Sequence, residues 1–148
     1  MVEARDLATP PDRLLQLAHD PWRPTRIAVA VHPFAPTEAI DLLLADGDAN
    51  VSWRAVQHPA ASGPALASAA DAEARTQQAA GTSYNFLRSY VVHHPRAPDD
   101  VRDTLLRDGA CGCTTGGWCA PAEWQRTVRL TGVEAAWLYR RGRPRYSA

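Results

Sequence analysis

The chain has 148 residues, 45% hydrophobic and 22% charged, a balance that suits one globular domain with its own core and excludes a wholly disordered chain. Its formal charge is zero but unevenly spread: residues 124–148 hold six Arg against one acid, Glu134, and the preceding part holds ten Arg against fifteen acids. All the basic residues are Arg, which excludes a phosphate loop of the Gly-x-x-x-x-Gly-Lys type and otherwise reads as genome composition.

At the N-terminus, Met1 to Asp6 carries acids where a secretory signal needs a basic start and an apolar run. No window approaches the length of apolar residues that a membrane span requires, so the expected location is cytoplasmic, with no membrane partner. From Ala8 onward the sequence repeats itself. Residues 8–33 align with 34–59 at a constant offset of 26, pairing Pro10 with Pro36, Leu14 with Ile40, Leu17 with Leu43, Asp20 with Asp46, and His32-Pro33 with His58-Pro59. The segment from His32 to Gly47 returns once more at His94 to Gly109.

Each unit predicts a helix opened by Pro, with Asp12 or Glu38 near the positive end of its dipole and an i, i+3, i+4 apolar stripe. Leu14, Leu17 and Ala18 form that stripe in the first unit; Ile40, Leu43 and Leu44 form it in the second. Asp20-Pro21 and Asp46-Gly47 end the helix. A shorter apolar piece follows, Ile27 to Val31 or Val51 to Val56, and stops at His-Pro, where the residue before Pro is pushed out of the helical region. The third unit, 60–93, is degenerate. It predicts a first helix at Ala65 to Ala70, a thin second piece at Ala74 to Ala80 ending at Gly81, and a heavier apolar stretch from Tyr84 to Val92. The fourth, 94–109, breaks off at Gly109.

The pattern Thr/Ala-Pro-x-x-x-Leu-x-x-Leu-Ala-x-Asp, followed by a short helix and a polar residue before Pro, resembles the leucine-rich repeat variant family over residues 8–109. The resemblance implies an all-α fold, a right-handed α-solenoid of about four short repeats, each an α-helix plus a short or 3₁₀ helix, within a repeat domain of residues 1–109. Residues 110–121 form a Gly/Cys-rich loop. Residues 122–148 form an irregular C-terminal cap, helix or hairpin, and an Arg-rich tail.

Cys111, Cys113 and Cys119 fall within this loop. Thiolates bind zinc or iron–sulfur clusters, and glycines let a backbone wrap closely around such a centre. A known member of the resembled family carries an iron–sulfur cluster, although ahead of its repeats and with another Cys spacing. His94 or His93 is the candidate fourth ligand. The competing reading is three reduced thiols in a packed loop. His32, His58 and His94 recur before Pro at one repeat position and are expected to bond the turn backbone rather than to act chemically. No phosphate loop or activated nucleophile is visible, so no enzyme and no catalytic residue is expected. The leading expectation is a non-catalytic scaffold for a protein partner. The alternatives are a metal-binding or redox-sensing adaptor through the Cys loop, and nucleic-acid binding through the stack and Arg140, Arg141, Arg143 and Arg145.

Overall fold

The computed structural model describes residues 2–82 and 86–111, which form eight α-helices with no strand among them. They are α1 (Val2–Arg5), α2 (Pro11–Leu17), α3 (Arg23–Ala30), α4 (Thr37–Leu44), α5 (Ala49–Ala55), α6 (Gly63–Ala80), α7 (Arg88–Val91) and α8 (Asp99–Arg107). No described helix is long and apolar enough to cross a membrane.

The even-numbered helices all begin the same way. Pro10, Pro36, Ser62 and Pro98 precede them with extended backbone, ψ 153°, 156°, 154° and 142°. These starts are spaced by 26, 26 and 36 residues, so the third unit carries ten extra residues. Proline fixes φ and supplies no N–H just where a helix would leave one unpaired, and in the third unit the Ser62 hydroxyl instead accepts the Ala65 N–H at 3.2 Å. Packing follows the same columns. Leu14, Ile40 and Leu66 stand at one repeat position and are fully buried, as are Ala4 and Ala30 within α1 and α3 and Val56 and Val92 at the C-caps of α5 and α7. Burial of this kind contributes roughly 2 kcal/mol per large side chain. Helix α3 packs against α1 and α5, and α4 packs against α2 and α6, so that helices two apart in the chain touch.

Two expectations are corrected. The second helices of the units, α3, α5 and α7, are short, as expected, but α-helical rather than 3₁₀; 3₁₀-type i→i+3 bonds lie at their ends, as in His32 N–H to Val29 and His58 N–H to Ala55. The third unit's first helix and thin second piece are one continuous helix, α6. Its Ala-rich sequence has no breaker until Gly81, which takes φ +66° and lets the Thr82 N–H return to the Gln77 carbonyl.

Candidate functional site

The turns leading from an odd to an even helix are tied into a ladder. At each, the histidine before Pro accepts the backbone N–H two residues on with Nδ1: Phe34 to His32 at 3.1 Å, Ala60 to His58 at 3.0 Å and Arg96 to His94 at 3.1 Å. The other ring nitrogen reaches the same turn of the preceding unit. His32 Nε2 donates to the Asp6 carbonyl at 2.9 Å, His58 Nε2 to the His32 carbonyl at 2.9 Å, and His94 Nε2 to the His58 carbonyl at 3.0 Å. A backbone N–H can only donate and a carbonyl can only accept, so all three rings are the neutral Nε2–H tautomer. Burial pulls the imidazoles of His58 and His94 down to about 4, consistent with that neutrality.

The ladder has two special ends. Asp6, 26 residues before His32, accepts the Ala8 N–H with its carboxylate at 2.9 Å; it reproduces half of the histidine's work and has no donor to offer upstream. At the other end, Arg102 occupies the column of Leu14, Ile40 and Leu66, and is buried. Its guanidinium donates to the carbonyls of His94 at 2.9 Å and Ala97 at 3.2 Å. It therefore satisfies the last carbonyl of the ladder from an otherwise apolar position.

The opposite ends of the even helices are built differently. Arg26 bridges two successive turns there, with Nε 2.7 Å from Asp46 and its guanidinium donating to the carbonyls of Asp20 and Pro21 at 3.0 Å. The hydrogen bond to Asp46 raises the Arg26 pKa, and Asp46 also accepts the Asp48 N–H at 2.8 Å. Beyond this turn the long α6 stands against α4 and opens a groove of about 660 Å³. Leu44, Ala49, Ala65, Ala69 and Leu87 give it an apolar lining, with Asp41, Asp46, Glu73 and Arg75 among the polar residues. Glu73 fixes the far wall: its carboxylate accepts the N–H groups of Phe86, Leu87 and Arg88 at 2.9, 2.7 and 2.8 Å, at the start of α7, and pairs with Arg88.

Of the predicted metal residues, Cys111 and His94 fall within the described residues. Cys111 Sγ lies 3.5 Å from His93 Nε2, whereas His94 has both ring nitrogens committed to backbone partners and no lone pair to give a metal. Burial, and then the Arg102 charge, lowers the His93 pKa. Among the described residues no three His, Cys, Asp or Glu side chains converge as a metal-binding set. Cys113, Cys119, the C-terminal cap and Arg140, Arg141, Arg143 and Arg145 lie outside the described residues. Sequence reasoning found the histidines but missed Asp6, Arg102, Glu73 and the groove; of these, only Arg102 left a readable mark, as a charge in an apolar column.

Comparison with protein-family models, with curated proteins and with solved structures finds no match to this chain.

Proposed function

We propose that the chain is a non-catalytic protein-interaction module, a short right-handed helical solenoid of about four units that binds its partner in the groove between α4 and α6. One observation carries this reading. The ten extra residues of the third unit leave the histidine ladder in register, 36 residues apart instead of 26, and open a groove at the other end of the helices. An insertion that spares the packing contacts of a repeat and creates a lined concavity adds recognition surface rather than stability. The test is site-specific photo-crosslinking in cells of origin, with the photoreactive residue at Ser68 or Ala72 in the groove, or at Phe34 beside the ladder. A discrete protein adduct from Ser68 and Ala72, absent from Phe34, is the expected result. Equal labelling from all three positions, or none from the groove, rejects the reading.

A second reading rests on the 3.5 Å approach of Cys111 to His93, which pairs a thiol with a half-buried imidazole whose charged form burial disfavours. That pair supplies two ligands of a zinc or iron–sulfur site, or a redox-responsive thiol, and Cys113 and Cys119 are the sequence's further candidates. Anaerobic purification without chelator, followed by elemental analysis, tests it: near-stoichiometric zinc or iron that is lost in Cys111→Ser supports it, and metal-free protein rejects the metal form.

A further inference from the structure

We infer that the groove's occupant is a short peptide segment with an apolar anchor beside one acidic group, and that Arg75 selects the acid; this rests on the interaction reading above. The lining carboxylates already have partners inside the protein. Asp46 is held by Arg26 and the Asp48 N–H, Glu73 by three backbone N–H groups and Arg88, and Asp41 by the Ser62 N–H at 2.9 Å. Arg75 is different. It lies exposed on the outer part of α6, lines the groove, and makes no hydrogen bond or ion pair to any described residue, Asp71 one turn earlier included. Among the described residues, an incoming ligand therefore meets an apolar floor with Arg75 as the one lining cation without an ion pair, and with Asp41, held by a neutral N–H, as a carboxylate that an acidic ligand has to avoid. A guanidinium presents a planar fork of donors that matches a carboxylate with two parallel hydrogen bonds. The apolar lining is mostly Ala, with Leu44, Phe86 and Leu87, so small residues along α6 leave room for one larger apolar side chain of a bound segment.

The experiment is selection of a displayed random peptide library on the full-length chain, followed by anisotropy titration of the enriched peptides. Enriched sequences are expected to combine an apolar residue with a neighbouring Asp or Glu. Arg75→Glu should weaken their binding by at least about tenfold, Arg75→Lys should retain most of it, and Ser68→Trp should abolish it by filling the groove. Arg75 and Ser68 are exposed, and unchanged circular dichroism and melting confirm that the variants fold. Enriched peptides without an acid, or binding indifferent to Arg75→Glu but lost in Ser68→Trp, overturn the acid selection and leave the groove standing. Binding indifferent to Ser68→Trp overturns both readings. A selection that yields no binder, or capture only of small acidic molecules, overturns the peptide class.

Discussion

A histidine before Pro33, Pro59 or Pro95 closes its own turn with Nδ1 and joins the previous unit with Nε2. Asp6 shows that the two tasks are separable, because its carboxylate closes the turn alone. This argues for a graded series at His58, which is fully buried. His58→Ala loses the ring volume and both hydrogen bonds, an expected cost of about 3 kcal/mol. His58→Asn keeps an acceptor for the Ala60 N–H and should recover about 1 kcal/mol of that loss. Urea unfolding midpoints at unchanged slope read both values. Equal losses would mean that the turn bond contributes nothing. The His-Pro recurrence was legible because it is a residue pattern at fixed spacing. The bond between each ring and its own turn was expected, but the carbonyl of the preceding turn was not legible, because a backbone carbonyl has no residue identity. Arg102 was legible in principle: aligned on Leu14, Ile40 and Leu66, a charge at that position demands a buried acceptor, and the His94 carbonyl provides it.

Among the elements, α6 departs most from the repeat and the sequence reading. Its apolar period fades after Ala70, which made the second half look like a separate piece; helix propensity of Ala, not periodicity, carries the chain on to Gly81. The extended part would be a free projection were it not for Glu73, whose carboxylate gathers three N–H groups at the entrance to α7 and is only 9% exposed. The groove was illegible for the same reason, since its width depends on where the inserted helix is held and not on which residues line it. Glu73→Ala leaves those three donors and Arg88 without their anion. The expected loss is about 3 kcal/mol, felt locally: amide exchange of Phe86, Leu87 and Arg88 should accelerate far more than that of Ile40 or Val56. Uniform acceleration across the chain would show that Glu73 supports the whole fold rather than the wall of the groove.

At the scale of the whole molecule, the ladder ties two buried rings, His58 and His94, to the neutral form. A proton on Nδ1 of His58 or His94 would meet the N–H of Ala60 or Arg96 head-on, so neither ring can charge without breaking its turn and loosening its hold on the unit before. Burial accordingly holds both near 4, below the 6.5 of an unfolded histidine. Arg96 adds to the depression at both rings, His32 at His58, and His58 and Arg102 at His94; the backbone carbonyl each ring bonds works the other way. Between these limits the unfolded chain binds more protons than the folded one, so stability rises with pH. The contribution is complete above about 6.5 and disappears as pH falls through about 4. Each histidine then accounts for a loss on the order of 3 kcal/mol. The carboxylate that the structure most clearly favours, Asp48, is lowered below its usual 3.8 by the Asn50 N–H and so acts at more acid pH, outside this window. Urea unfolding in a pH series from neutral to about 4 should therefore show a steep fall in wild type and a shallower one in His58→Asn, which has one fewer buried imidazole to protonate. Parallel curves for the two proteins would place the acid sensitivity elsewhere and reduce the ladder to a set of independent turns.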